Sequence, residues 1–256
     1  MTDQFRDSPH HRRQAPPPVH FLEPLHAPVQ AAIDAPAQRS AQDIPDRESF
    51  ASQRRPHRSA LPAAAKEPTA AWLESIFGAG SLWRPTDDEL PAHLEDKEAR
   101  RFLTTVGFPA VRLDFASVDT TDLFKEGMWE ADPAELFGER YPDDDSPPER
   151  YAYRMGEQYG SYLMMMGDTG SISLYDPNGW DHAAGYDGYA ARSLPELAGA
   201  LGLLALHEDA LTGADSRAAL REFRTLMAEF DGDPEPTDLW ENIFETLDEE
   251  YGDPDR

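Results

Sequence analysis

Asp168-Thr169-Gly170-Ser171 follows the apolar run Tyr162-Leu163-Met164-Met165-Met166. Aspartic proteases carry a catalytic aspartate in a loop of this kind, where two carboxylates held in tight glycine turns share one proton. The chain holds one copy of the stretch, so such chemistry would need a symmetric dimer. Aspartate and glycine are also what a β-hairpin turn selects, and four-residue motifs often match by chance. A hairpin turn is therefore expected here, with no catalytic role.

Asp231-Gly232-Asp233-Pro234-Glu235 suggests a calcium loop. An EF-hand needs glycine at its sixth position and glutamate at its twelfth. Those places hold Pro236 and Asn242, so an acidic loop between helices is expected instead. The histidines outside the N-terminal stretch are His93, His182 and His207, and no two stand at metal-ligand spacing. His182 lies in a stretch rich in glycine and tyrosine, where a surface-loop histidine is expected. There is no cysteine, which removes disulfides, thiolate metal sites and cysteine nucleophiles together. Neither a G-x-S-x-G elbow nor a Walker A loop occurs. No catalysis, cofactor or metal is expected.

Acid is the dominant chemistry. The formal net charge is −26. A strong anion is a poor ligand for nucleic acid or an anionic membrane and a good one for a basic protein. Solubility alone needs far less charge, so the excess calls for a functional reason. The cluster Asp143-Asp144-Asp145 and the aromatics Trp129, Trp180, Tyr186 and Tyr189 are the candidate contacts. All four aromatics fall outside helical stripes and are expected in loops. Asp143, Asp144, Asp145, Trp180, Tyr186 and Tyr189 form the proposed partner-binding set, since tight binding needs aromatic anchors as well as charge.

The elements that must position these groups divide the chain. Eleven of its 23 prolines lie within residues 1–68, and five of its eight histidines lie before position 60. Hydrophobic residues make up only 39% of the whole, low for a chain packed throughout. Residues 1–66 carry 9 basic and 7 acidic side chains and no sustained apolar period. They are expected to be a disordered, Pro-rich arm, unable to bury enough surface to offset chain entropy. Residues 67–256 carry 14 basic and 42 acidic side chains, a net of −28, and are expected to form one globular domain. No apolar run is long enough to span a bilayer and no secretory leader is evident, so a cytoplasmic location is expected.

Helical spacing marks residues 69–77, with Trp72, Leu73, Ile76 and Phe77 on one face. It marks residues 96–106 more strongly, through Ala99, Phe102, Leu103 and Val106, with Gly107 as the stop. Val111, Leu113 and Phe115 alternate with Arg112, Asp114 and Ala116 as in a strand. A meander over 151–155, 161–166 and 171–175 follows, its first turn framed by Gly156 and Gly160 and its second made by Gly167 to Gly170. The run 162–166 is apolar on both faces, as in a covered central strand. Ser193-Leu194-Pro195-Glu196 is a capping box opening a helix with Leu197, Leu201 and Leu204 as its stripe. Two more helices carry Leu220, Phe223, Met227 and Phe230, then Trp240, Ile243, Phe244 and Leu247, the last capped by Asp238. Helices, a meander and then helices define an α+β fold.

Three blocks in order resemble a known family. They are residues 98–109 (Glu-Ala-Arg-Arg-Phe-Leu-Thr-Thr-Val-Gly-Phe-Pro), residues 159–177 from Tyr159-Gly160-Ser161 through Gly167-Asp168-Thr169-Gly170 to Asp176-Pro177, and Ser193-Leu194-Pro195-Glu196-Leu197. Their order and spacing are similar to the SUKH superfamily, most of all its fourth family of actinobacterial immunity proteins, over about residues 70–250. The resemblance implies a twisted, mostly antiparallel sheet flanked by helices. It implies no catalysis, and a partner that is a polymorphic toxin, often a nuclease or deaminase. A basic toxin domain then fits the acidic surface. The Pro-rich arm and an acidic insertion around residues 130–150 depart from the family pattern. The alternative is a non-catalytic scaffold of the same superfamily that recruits its partner through the arm.

Overall fold

A computed structural model describes residues 61–141, 144–179 and 185–252. The chain divides into two units, Met1–Gln53 and Arg54–Arg256, and every described residue lies in the second. The disordered arm expected over 1–66 thus lies outside the described residues as far as position 60. Its last six residues, Leu61–Lys66, form helix α1. Ala65 is fully buried, and the Ala65 carbonyl lies so close to Gly199 that any side chain there would strike it. Three alanines in a row favour a helix locally, a signal masked by the proline-rich composition before them.

Helix α2, Ala70–Phe77, starts where the Thr69 hydroxyl accepts from the Trp72 amide at 3.2 Å. A short antiparallel pair joins β1, Leu82–Trp83, to β2, Phe108–Pro109. Between them runs α3, Lys97–Thr105, capped by Asp96, which accepts from the Ala99 amide at 2.7 Å. Ala99, Phe102 and Leu103 are its buried face. The strand expected over residues 111–116 is only two residues long. After β3, Arg112–Leu113, the chain enters a 3-10 turn at Asp114–Ala116 that still buries Phe115, then forms β4, Val118–Asp119. Alternation there reflects a tight turn that returns Phe115 to the core rather than continued extension.

Among the described residues the main sheet has seven strands in the order β3-β4-β6-β7-β8-β9, with β5 alongside β6. Here β5 is Trp129–Ala131, β6 Ala152–Gln158, β7 Ser161–Met166, β8 Ile172–Tyr175 and β9 Tyr186–Ala191. All neighbours are antiparallel. Strand β6 continues through Gly156, which was expected at a turn. A register shift sits between Arg154 and Gly156, and a Cβ on Gly156 would stand 2.6 Å from the Asp119 carbonyl. The turn is Tyr159-Gly160, both left-handed at φ 51° and 94°, the pair a two-residue hairpin requires. The second hairpin turn forms as expected, with the Gly170 amide donating to the Met166 carbonyl at 2.8 Å. Leu163, Met164 and Met165 are all fully buried, so β7 is the covered central strand.

Among the described residues four helices follow: α6, Leu194–Leu206; α7, Glu208–Leu211; α8, Ser216–Asp231; and α9, Asp238–Tyr251. Ser193 accepts from the Glu196 amide, one half of the expected capping box; Glu196 itself turns to Arg192 at 2.9 Å. Helix α6 is buried on nearly every side, between α1, α2 and α3 and the sheet. Helices α8 and α9 pack through Phe223, whose ring meets Trp240 at 6.4 Å and Phe244 at 6.2 Å. The buried faces of both helices contain the residues their spacing predicts.

Candidate functional site

Strand register places two rows of side chains across the sheet face turned away from α6 and α9. One row is Arg112, Asp119, Glu157, Tyr162, Tyr175 and Tyr186, each directly opposite the next. The other is Trp129, Arg154, Met164, Ser173 and Tyr189, within which Met164 is fully buried, so this row is covered at β7. The alternate residues Tyr153, Met155, Leu163, Met165, Ile172 and Leu174 point the other way, into the core. One face is therefore apolar and covered by helices; the other carries polar-tipped aromatics and charge.

Tyr186 and Tyr189 stand three residues apart, and a regular strand would turn them to opposite faces. The register of β9 shifts between the partners of Leu174 and Tyr175, and this bulge returns both tyrosines to the outward face. They are thus strand residues, where loops were expected. Trp129, also expected in a loop, stands on β5 and is 51% exposed. Tyr186 is 57% exposed.

The rows are knit by contacts. The Arg154 guanidinium lies 4.1 Å from the centre of the Tyr162 ring. Its Nη2 stands 3.0 Å from Glu157 Oε2 and 3.9 Å from Asp122 Oδ2. Tyr162 and Tyr175 have ring centres 6.0 Å apart. Phe137 meets Tyr175 and Tyr186 edge-on at 6.2 and 5.9 Å. Burial pushes the Tyr175 phenol above its usual range, with Tyr162, Asp176 and Glu135 adding to the shift. Burial also raises the Tyr189 phenol; Glu196 adds and Arg192 opposes.

Phe137 belongs to the acidic insertion. There α4, Leu123–Glu126, and α5, Pro133–Leu136, flank β5. Asp132 caps α5 by accepting from the Ala134 amide at 2.9 Å. Arg140 ties this cap to the following loop: its Nη1 lies 2.8 Å from Asp132 Oδ2 and its Nη2 donates to the Asp144 carbonyl at 2.6 Å. The Asp144 carboxylate accepts from the Ser146 amide at 2.9 Å. The hydrogen bonds from Ser146, helped by Arg140, hold its carboxyl below the usual range. Asp144 is thus partly engaged in folding its own loop, while Asp145 is exposed. Asp143 and Trp180 lie outside the described residues. Of the proposed set, the structure brings Tyr186 and Tyr189 to one face, and Phe137 links that face to the insertion carrying Asp144 and Asp145. Sequence reasoning missed Tyr162, Tyr175, Arg154 and Phe137. The signal was present in Tyr162-Leu163 and Leu174-Tyr175, polar-tipped aromatics alternating with aliphatics.

The other candidates have structural roles. Asp168 is exposed in the β7–β8 turn. The His93 ring stacks on Tyr151 at 4.0 Å, and His207 Nδ1 donates to the Leu203 carbonyl at 2.7 Å. His182 lies outside the described residues. In the acidic loop expected between helices, Asp233 accepts from the Glu235 amide at 3.0 Å. Among the described residues no group of three or more histidine or acidic side chains is placed to hold a metal, and no helix is long and apolar enough to cross a membrane.

The molecule is an α+β domain with one sheet face under helices and the other presenting aromatic and charged side chains outward. A family model for SUKH-4 immunity proteins matches residues 68–246, and the chain belongs to that family. Comparison with curated proteins and with solved structures returns no match. Membership in an immunity family implies a toxin as binding partner and points to a role without catalysis.

Proposed function

We propose that the protein neutralises a toxin acting on nucleic acid, a nuclease or a deaminase, by filling its basic substrate groove with an acidic surface. The observation that carries this reading is a coincidence: the matched residues, 68–246, lie in the part of the chain with net charge −28. Enzymes that grip nucleic acid present positive charge to phosphate. An acidic domain competes for that charge, and complementary fields speed encounter to about 10⁸ M⁻¹s⁻¹ at low salt. Retention then depends on buried aromatic anchors. Asp143, Asp144, Asp145, Trp180, Tyr186 and Tyr189 are the proposed contacts. Nucleic acid and membrane are not partners, because both repel this charge. The protein acts in the cytoplasm, does not turn over a substrate and needs no cofactor.

The test is capture of partners by the tagged full chain from its host at low and high salt, identified by mass spectrometry. A stoichiometric basic toxin domain, released by salt and no longer toxic when co-expressed with this chain, is the expected result. A fragment starting at Leu61, which keeps α1, should capture the same protein. If the full chain captures a partner and this fragment does not, the arm is the binding element and the reading fails.

A further inference from the structure

Aromatic and acidic groups meet at two places on the outward sheet face, and one already holds a cation. At Tyr162 the guanidinium of Arg154 lies 4.1 Å from the ring centre and pairs with Glu157 at 3.0 Å. The second place is Tyr175 and Tyr186 around Phe137, with Glu135 and Asp176 beside them. Among the described residues no basic side chain forms an ion pair with Glu135 or Asp176. Glu135 is exposed, as is Tyr186. This second place therefore has electron-rich rings and two carboxylates, as the Tyr162 site has, but among the described residues lacks its cation.

We infer that the Phe137–Tyr175–Tyr186 platform binds an arginine side chain of the partner protein, its guanidinium against the tyrosine rings and its charge met by Glu135 and Asp176. A planar, weakly hydrated guanidinium suits such a surface better than an ammonium does, since it stacks on rings and pairs bidentately with carboxylates. Arg154 on Tyr162 is an example of the same recognition within this chain. The inference deepens the proposed toxin binding and rests on it for the partner's basic character. Glu135 and Phe137 both come from the acidic insertion, so the insertion completes the sheet face.

Two measurements test it. The full chain, labelled on its aromatic rings, is titrated with the blocked peptide Gly-Arg-Gly and with its citrulline analogue, which keeps the shape and loses the charge. The expected result is movement of the Phe137, Tyr175 and Tyr186 ring resonances with the arginine peptide alone, lost in Tyr186→Ala and weakened in Glu135→Gln. Equal shifts with citrulline, or shifts confined to other acidic surfaces, overturn the inference. With a captured toxin domain, Tyr186→Ala raises Kd about tenfold while Tyr186→Phe, which keeps the ring, leaves it near wild type. A toxin bound equally well by Tyr186→Ala refutes the arginine site and leaves the immunity reading standing. Failure to capture any toxin refutes that reading, and the peptide titration then decides on the site alone.

Discussion

Burial pushes the Asp231 carboxyl up to about 6 from the ordinary 3.8, with Glu196 adding to the shift and Arg192 opposing it. Asp233 adds further and Lys66, at the end of α1, opposes. A carboxyl raised in the folded state holds its proton more tightly there than in the unfolded chain. Between about pH 4 and 6 the folded form therefore binds the extra proton, and stability falls as pH rises through that window. Above it the ionised carboxylate costs about 1 kcal/mol, after allowing for solvent screening of a group only partly buried. Asp231→Asn should raise the melting temperature at pH 7 and leave it almost unchanged at pH 4. The Arg192 Nη2 bond to the Asp231 carbonyl, 2.9 Å, survives the substitution because it uses the backbone. Thermal melts of both proteins at the two pH values check this; parallel pH profiles would sink it.

Strand β9 ends the sheet, and an open strand edge is a template for unwanted pairing. Helix α9 closes part of it with its first turn. Asp238 Oδ2 accepts from the Tyr189 amide at 2.6 Å, and the Thr237 hydroxyl donates to the Ala190 carbonyl at 3.0 Å. Asp238 was expected to cap its own helix; Thr237 stands at the cap instead, and Asp238 serves the sheet. Gly188 makes the approach possible, since at φ 114° a Cβ would fall 2.4 Å from the Asp238 Cβ. Asp238→Ala should cost about 1–2 kcal/mol in urea unfolding and sharply speed exchange of the Tyr189 amide. Unchanged exchange would show that the bond does not guard the edge. The same place marks the limit of what the sequence shows. Helices α8 and α9 were legible because one face of each carries large apolar residues every three or four positions. Strand β9 was not, because two register shifts and a glycine break the period of two in Tyr-Asp-Gly-Tyr-Ala-Ala. For the same reason the outward face was legible as residues but not as a surface: Tyr186 and Tyr189 could be chosen, yet only the pairing reveals Tyr162 and Tyr175 beside them. Helix α1 was hidden by the composition around it, though Leu-Pro-Ala-Ala-Ala-Lys suits a helix.

At the scale of the whole molecule the dominant fact is a net charge of −28 on residues 67–256. A folded body of that size has a radius of gyration of about 16 Å. The screening length is about 30 Å at 0.01 M salt, so every charge then feels every other; at 0.15 M it shrinks to about 8 Å, and only neighbours interact. Ion pairs such as Arg140 with Asp132 and Arg154 with Glu157 relieve the repulsion locally, but 14 basic side chains cannot balance 42 acidic ones. Sodium chloride should therefore stabilise the free protein, raising its melting temperature between 0.01 and 0.15 M. Binding to a basic partner should respond in the opposite sense, because the same ions screen the attraction between the two surfaces. An uncharged osmolyte at equal osmolality should leave the binding constant nearly unchanged. A melting temperature that falls with salt would mean that attractive pairs outweigh the net repulsion. Binding that is indifferent to salt would mean that contact is made through the aromatic groups alone, with the acidic charge serving some other end.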